Sequence, residues 1–418
     1  MKFSRSTCLN MLVCWLLIYF SGKMLFDTVP YIFELFSLAF FACGAFFLVY
    51  SRSAATLHTI HLFFVFILFV AYVVINGVLQ SNVSQLARAA YEYVFYMLIL
   101  FAMMWLIPQA DISKCLKVFA VWGLLIACLS WLEFFTKTLL IAEAVENYLE
   151  FRAIVFSRSF LSHGAILGFF ALVCMDIYYR ERKPLWFVAG LFCYASILAT
   201  ASRGPMVACG LGLALQYMLN AFISCRHSLK RLIASFAFLL VIIAACVIMF
   251  GTFLTGNEFV DNALLRIRSI FNWTGEAGNT GRLLLWENAL NLWKSSPWFG
   301  IGPSQTGSWG VEAICVTESG VLKRLAELGV IGFGIFYYFL SVIFIRAIRA
   351  YRKLDDQSKR RMVFWFSLAT AILINDCILQ LTEEISISFF LWTALAGLEC
   401  SADQAYANSN NTTFLEES

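Results

Sequence analysis

The segment "GNTGRLLLWENALNLWKSSPWFGIG" begins with an arginine in a position that favours anion binding. Asn279 and Thr280 are helix-capping residue types, and the pattern after them predicts a helix from Gly281 to Lys294. A helix N-terminus has unpaired N–H groups and a positive dipole end, so a guanidinium there is unfavourable unless an anion binds. Arg282, in that predicted first turn, therefore indicates phosphate or diphosphate binding through planar, two-point donors. The alternative is a surface arginine whose charged end extends to water.

A second arginine lies in a tight turn between two apolar segments. In "ILATASRGPMVACG", Arg203 is followed directly by Gly204 and Pro205, which leaves almost no loop and puts the guanidinium near headgroup level. A cation inside a membrane is costly, and a bound anion offsets that cost. We therefore predict that Arg203 and Arg282 clamp a diphosphate. The candidate cations that complete this substrate-binding site are Arg152, Arg158, Arg266 and Arg268.

Several acidic or basic side chains near these arginines are candidates for removing a proton from a hydroxyl. Glu318 lies in "CVTESGVLKRLAELG" and His163, also a substrate-binding candidate, lies in "SRSFLSHGAILG". Further carboxylates are Asp376, Glu383 and Glu384. Each is a weak signal alone, because most exposed carboxylates have no chemical role. The histidines form no metal-binding pattern, so we expect neither a metal nor a cofactor.

The composition around these residues is that of a polytopic membrane protein. Hydrophobic residues make up 61% of the chain and charged residues 13%, with 42 Phe among 418 residues. Soluble domains are only about half apolar and about a quarter charged. A net charge of +4 does not indicate nucleic-acid binding. Most of the 13 cysteines fall in or beside apolar runs, which favours buried thiols over disulfides.

Apolar runs predict an all-α fold with about twelve transmembrane helices. Their approximate ranges are 7–22, 29–50, 57–79, 89–108, 114–136, 159–179, 185–201, 204–224, 232–253, 329–347, 362–380 and 385–400. Lys and Arg concentrate in alternate loops, which places both termini in the cytoplasm. The predicted organisation is nine helices in 1–253, a large external loop in 254–328, three helices in 329–400 and a disordered cytoplasmic tail in 401–418.

The external loop is too long to be a simple connector. Its predicted helix places Leu283, Trp286, Leu290 and Trp293 on one face, and the tryptophans suit the headgroup zone. At about 21 Å this helix is too short to span the bilayer, so we predict a re-entrant or interfacial helix, with Trp286 as a substrate-binding candidate. The alternative is that the loop forms a plug or a surface for a partner protein.

Three of these motifs resemble the bacterial O-antigen ligase and O-antigen polymerase superfamily, over about residues 150–345. "TASRGPM" resembles its Ser-Arg turn, "GRLLLWENALNLWKSSPWFGIG" its Arg-x-x-x-Trp stretch, and "ESGVLKRLAELGVIG" the segment that returns to the membrane. The resemblance implies a metal-independent glycosyltransferase of the GT-C type in the bacterial inner membrane. It also implies a periplasm-facing active site, undecaprenyl-diphosphate-linked glycans as donors, and Arg203 and Arg282 stabilising the diphosphate leaving group.

Glu318 bears on which branch of the superfamily this chain resembles. Ligases carry a histidine at this place, whereas a carboxylate there resembles the polymerases. The favoured function is an O-antigen polymerase of lipopolysaccharide biosynthesis, or one acting on a similar surface polysaccharide. Such an enzyme moves a growing glycan from undecaprenyl diphosphate to a sugar hydroxyl of another lipid-linked repeat. Glu318 would be the base or orient the acceptor, and a chain-length regulator is a candidate partner.

Two alternatives stay open. One is a ligase that transfers the polymer to the lipid A core. The other is a transporter or flippase for lipid-linked glycans, which would also use arginines and many membrane helices. Transporters tend to have repeated topology and broken helices near the membrane midplane. The sequence has no evident internal repeat, and its unusual residues lie on one predicted side.

Overall fold

The chain forms a bundle of α-helices. A computed structural model describes residues 4–26, 32–51, 57–140, 151–157, 159–224, 230, 277–307 and 314–416, and these contain helices and no strands, so the predicted all-α class is confirmed. The helices longer than five residues are α1 Arg5–Ser21, α2 Ile32–Ser51, α3 Leu57–Gln80, α4 Val83–Gln109, α5 Ile112–Thr136, α6 Phe160–Glu181, α7 Pro184–Ala195, α8 Arg203–Ser224, α9 Ala277–Ser295, α10 Gly320–Tyr351, α11 Asp356–Ile378 and α12 Ile385–Glu416.

Eight of the helices in the described ranges are long and apolar enough to cross a membrane, namely α3, α4, α5, α6, α8, α10, α11 and α12. Shorter apolar helices cover 6–21, 39–48 and 184–200. The predicted span at 232–253 lies outside the described residues, so the count of twelve stays a prediction. The most apolar windows of α12 and α6 are 94% and 89% buried, which places these two helices at the centre of the bundle.

Aromatic rings fill much of the core. The ring centroids of Phe20 and Phe389 are 4.2 Å apart in a stacked pair, and those of Phe119 and Phe170 are 4.6 Å apart. Close pairs of this kind add about 0.5–1.5 kcal/mol beyond the burial of their area. The high phenylalanine content therefore contributes to helix packing as well as to the hydrophobicity of the membrane helices.

The membrane helix α10 is interrupted at Gly329, where φ is +61° and ψ is −175°. The backbone groups released by this break bond to residues 297–306, which we call the inserted loop. Val330 N–H donates to the Pro297 carbonyl at 2.9 Å, and Ile301 N–H donates to the Ala326 carbonyl at 2.9 Å. Buried backbone groups without a hydrogen-bond partner are costly, so the inserted loop and the break stabilise each other.

The end of α3 holds the inserted loop from its other side. Asn76 Nδ2 donates to the Phe299 carbonyl at 2.8 Å, and the Tyr72 hydroxyl donates to the Leu328 carbonyl at 2.5 Å. Gly332 lies against the Tyr72 ring, where a Cβ would come within 2.3 Å of a ring carbon. The glycines of α10 thus serve two purposes, since Gly329 permits the break and Gly332 permits close packing against Tyr72.

Three helix boundaries change how the predicted segments are interpreted. Helix α9 starts at Ala277, so Asn279 and Thr280 lie inside the helix, and Arg282 falls in its second turn. Helix α10 starts at Gly320, within the segment predicted to be loop. Helix α12 continues to Glu416 and includes most of the segment predicted to be a disordered tail.

Candidate active site

Arg282 and Glu318 form an ion pair, with 2.7 Å between Nε and Oε2. Trp286 stands one turn further along α9, and its Nε1 donates to the Glu318 backbone carbonyl at 3.4 Å. Residues four apart project from the same helix face, so the Arg-x-x-x-Trp spacing lets one face of α9 hold both the side chain and the backbone of Glu318. In the described part of the chain, Glu318 is the only carboxylate paired with Arg282.

Glu318 sits in a strained backbone conformation just before α10. Its φ is +43°, which is uncommon for a residue with a Cβ and costs of order 1 kcal/mol or more. The next residue, Ser319, caps α10 by accepting a hydrogen bond from Leu322 N–H. The side chain of Glu318 is 36% exposed and that of Arg282 is 19% exposed, so an incoming substrate can reach the pair.

Lys323, one turn into α10, is the centre of a buried charge network. Its Nζ lies 2.8 Å from Glu92 Oε2 and also contacts the Glu383 carboxylate. Arg88 joins from α4, with 2.6 Å between its Nε and Glu92 Oε1. Charges at this depth persist only when they are paired and hydrogen-bonded, so removing one member leaves the others uncompensated.

Glu92 reaches this network from a π-helical turn that interrupts α4 at Ala90–Phe95. Such turns are rare and occur frequently at functional sites, because the extra residue changes the direction of the side chains around it. Here the turn presents both Glu92 and Tyr93 to the first turns of α10.

A second buried ion pair lies beside the network. Arg324 Nη1 is 2.5 Å from Asp376 Oδ2, and Arg324 Nη2 donates to the Thr382 hydroxyl at 2.5 Å. The Asp376 carboxylate packs directly on Gly320, where a Cβ would lie 2.2 Å from Oδ1. The first residue of α10 must therefore be small for Asp376 to reach Arg324.

A small, partly open pocket lies between the two charged groups. Apolar walls come from Phe336 and Trp392, and polar atoms come from the charged groups described above. The pocket is lined by Glu92, Tyr93, Gly320, Lys323, Arg324, Phe336, Thr382, Glu383, Ser388, Leu391 and Trp392. The enclosed space has room for about two water molecules, so it is a polar cavity between the charged groups and not a preformed sugar site.

Glu327 connects this pocket to the inserted loop. Its Oε2 accepts from the Tyr93 hydroxyl at 2.7 Å and from Ser304 N–H at 2.8 Å, and its Oε1 accepts from Thr306 N–H and from the Thr306 hydroxyl, both at 2.8 Å. Four donors around one fully buried carboxylate satisfy it in its ionised form. Glu327 thus holds the loop in place and is engaged on both oxygens.

Arg203, the first residue of α8, lies at the same end of the bundle as the Arg282–Glu318 pair. Its neighbour Gly204 packs against Leu379, just after the last turn of α11, and Gly320 packs against Asp376 in that turn. The starts of α8 and α10 therefore converge on the end of α11. We call this end of the bundle, which also holds the start of α6, the site end.

Of the other predicted substrate-binding residues, two lie in the described ranges and three lie outside them. Arg152 stacks its guanidinium over the Phe160 ring, 4.3 Å from the centroid. His163 is fully buried, and its ring nitrogens pair with the hydroxyls of Ser130 at 2.8 Å and Ser157 at 3.2 Å. These contacts occupy both nitrogens of His163 inside the bundle. Three further candidates, Arg158, Arg266 and Arg268, lie outside the described residues.

The sequence pointed to some members of this site and missed others. Asp376, Glu383 and Glu384 were already candidate carboxylates, and Glu384 accepts hydrogen bonds from Ser159 and Ser162 at the start of α6. The residues that were missed are Arg88, Glu92, Lys323, Arg324 and Glu327. A usable signal existed, because ionisable residues inside or beside apolar membrane helices indicate functional or tightly paired sites.

Comparison with known proteins supplies one match. Residues 188–337 match the family model described as O-antigen ligase, and this range includes Arg203, Arg282, Glu318 and the break at Gly329. No curated protein sequence matches the chain.

Proposed function

Because the chain is a member of the O-antigen ligase and polymerase superfamily, with the O-antigen ligase match at residues 188–337, we propose that it polymerises a lipid-linked surface glycan. The observation that carries the proposal is the partly exposed Arg282–Glu318 ion pair, whose carboxylate lies two residues before Gly320, a lining residue of the charged pocket. A guanidinium supplies donors for a diphosphate, and a neighbouring carboxylate supplies an acceptor for a hydroxyl proton. Glycan transfer from a lipid diphosphate needs both.

In the proposed reaction, a sugar hydroxyl oxygen of one lipid-linked repeat attacks the anomeric carbon of the glycan on a second lipid. The bond from that carbon to the diphosphate oxygen breaks, and undecaprenyl diphosphate leaves with the bonding electrons. Arg282 and Arg203 stabilise its developing negative charge through their guanidinium donors. Glu318 accepts the hydroxyl proton, and no metal or cofactor takes part.

The Arg282–Glu318 ion pair is compatible with both proposed roles, diphosphate binding by the guanidinium and proton acceptance by the carboxylate. Arg282 uses Nε for Glu318, which leaves its outer nitrogens for phosphate oxygens. The acceptor sugar would lie beside Glu318, with its attacking hydroxyl within hydrogen-bond reach of the carboxylate. The periplasm-facing location and the inner-membrane setting belong to the same proposal.

The test is Arg282→Ala in a strain whose surface polysaccharide depends on this chain. We expect glycan ladders on a lipopolysaccharide gel to be lost, because removing one preorganised donor to a developing oxyanion lowers rates by about 100-fold or more. The matched control is Lys294→Ala, which removes an exposed cation from the last turn of the same helix. Long chains that persist in R282A at normal protein abundance would refute the mechanism.

A ligase is the second candidate, and the description of the matched family favours it. Deleting the gene separates the two enzymes. Loss of a polymerase leaves a single repeat on the lipid A core, whereas loss of a ligase leaves the core bare. A bare core would replace the polymerase proposal with the ligase.

Glu318→Gln tests the role of the carboxylate with little change in shape. Loss of a general base typically lowers a rate by about 100-fold to 10,000-fold, whereas an orienting residue that accepts a hydrogen bond retains part of its function as an amide. The measurement is elongation of purified lipid-linked repeats by the purified protein. Glu287→Gln, an exposed change on α9, is the control.

A further inference from the structure

Four arginines cluster at the end of the bundle opposite the site end. Arg180 and Arg182 lie at the end of α6, and Arg360 and Arg361 lie in the second turn of α11. Arg180 and Arg361, the inner pair, share the Ser113 hydroxyl. Arg182 and Arg360, the outer pair, share the Ser224 hydroxyl. This arrangement belongs to neither the pocket nor the Arg282–Glu318 pair.

The inner pair is partly compensated by a carboxylate. Arg180 Nη1 and Arg361 Nη2 both donate to the Ser113 hydroxyl at 3.0 Å. Asp176 lies between them, 3.0 Å from Arg180 Nη2 and 3.8 Å from Arg361 Nη2. One buried carboxylate thus serves two guanidiniums, and the inner pair has a net positive charge.

The outer pair has no carboxylate. Arg182 Nη2 and Arg360 Nη2 donate to the Ser224 hydroxyl at 3.2 and 3.1 Å, and Arg360 Nη1 donates to the buried Asn220 Oδ1 at 3.1 Å. Within the described ranges, neither arginine forms an ion pair. Two like charges are therefore held around one neutral oxygen, where a bound anion would offset their repulsion.

Nearby carboxylates are already engaged. Glu181 pairs with Lys117 and with Lys183, the latter at 3.5 Å, and Asp356 pairs with Lys359 at 3.6 Å. The sequence "CRHSLKR", which follows Ser224, adds no acidic residue. Among the described side chains, neither Arg182 nor Arg360 therefore has a carboxylate partner within ion-pair distance.

An apolar surface adjoins the outer pair. Helix α7 begins two residues after Arg182, and its Leu185 and Val188 are 71% and 60% exposed. An inorganic phosphate ion would bury none of this apolar surface, whereas the acyl chains of a lipid would bury it and gain free energy of binding. Cationic side chains at a helix end next to exposed apolar residues match the headgroup and the tails of a lipid.

We propose that Arg182 and Arg360, aligned by Ser224 and Asn220, bind the phosphate of an anionic phospholipid headgroup, with its acyl chains against the start of α7. The planar guanidinium forks match phosphate oxygens in a two-point geometry. Orientation from the positive-inside pattern places this site at the cytoplasmic leaflet, whose surface is negatively charged. The site is separate from glycan transfer and does not depend on the polymerase proposal.

The experiment is native mass spectrometry of the purified full-length protein in detergent, titrated with phosphatidylglycerol, phosphatidylcholine or inorganic phosphate. The site variant is R182Q/R360Q. The matched control is R349Q/R352Q, which removes two exposed arginines near the end of α10, at the same end of the bundle. Both variants lose the same net charge.

We expect wild-type protein and the control to retain phosphatidylglycerol about tenfold better than the site variant does. The charge-preserving variant R182K/R360K removes the two-point geometry with less risk to folding, and its retention should also fall, by about threefold. Equal loss in the control would overturn the proposal in favour of general charge attraction. Equal retention of phosphatidylcholine, or displacement by millimolar inorganic phosphate alone, would overturn the assignment to an anionic lipid.

Discussion

Replacing Gly329 with alanine tests how the broken helix α10 is built. The backbone at Gly329 lies in a region that residues with a Cβ occupy only at a cost of about 1–3 kcal/mol. A Cβ there would also lie 2.4 Å from the Trp298 carbonyl oxygen and 2.5 Å from the Gly300 nitrogen. Both are backbone atoms, so they cannot rotate away as a side chain could.

The loss of stability in this variant depends on the hydrogen bonds between the inserted loop and α10. Any shift that relieves the clash weakens the hydrogen bonds between the loop and α10, which contribute about 0.5–1.5 kcal/mol each. With the backbone strain and two lost bonds, we expect Gly329→Ala to destabilise the protein by about 2–6 kcal/mol. The pocket should also lose its shape, because Glu327 links the loop to it.

The control is Gly334→Ala in the same helix. No atom lies within 4 Å of a Cβ at Gly334, and alanine favours a helix over glycine by about 1 kcal/mol. The assay is thermal unfolding of both purified variants in one detergent, followed by tryptophan fluorescence. We expect the melting temperature of G329A to fall by several degrees and that of G334A to equal or exceed the wild-type value. Equal melting temperatures for the two variants would refute the reasoning.

Two further predictions concern the charged groups. Glu327→Gln replaces one carboxylate oxygen, which accepts from a backbone N–H and a hydroxyl, with an N–H₂ group that faces both donors, so we expect a loss of about 2–4 kcal/mol. The exposed change Glu287→Gln should leave the melting temperature unaltered, and a similar fall in both would contradict the anchoring role. Gly320→Ala pushes its Cβ into the Asp376 carboxylate, so polymer synthesis should fall while Gly281→Ala, with open space around it, leaves synthesis intact. Normal glycan ladders in G320A would show that the carboxylate can move without consequence.

The sequence predicted individual site residues better than the contacts between them. Arg282 and Glu318 were both flagged, one for a diphosphate and one for a hydroxyl proton, but their ion pair joins positions 36 residues apart. The premise that placed Arg282 in a first turn was wrong, since α9 begins at Ala277. Arg282 is instead positioned by its partner and by Trp286 one turn away.

The missed residues share a physical reason. Lys323 and Arg324 occur in the very motif that indicated the superfamily, yet charges at the start of a membrane helix are expected to reach water. Whether such a side chain is buried depends on the helices packed around it. For Lys323 those are α4, with its π-helical turn at Glu92, and the segment at Glu383.

By itself, the sequence determined that this is an all-α membrane protein with a cationic, carboxylate-bearing region, because hydropathy and charge are local properties of a chain. Only the tertiary structure decided that α10 is broken at Gly329, that residues 297–306 fill the break, and that Lys323 is enclosed by carboxylates. Each of these depends on backbone groups or charges that one segment leaves unpaired and a distant segment satisfies. Such pairing in a medium without water is a property of the folded chain as a whole.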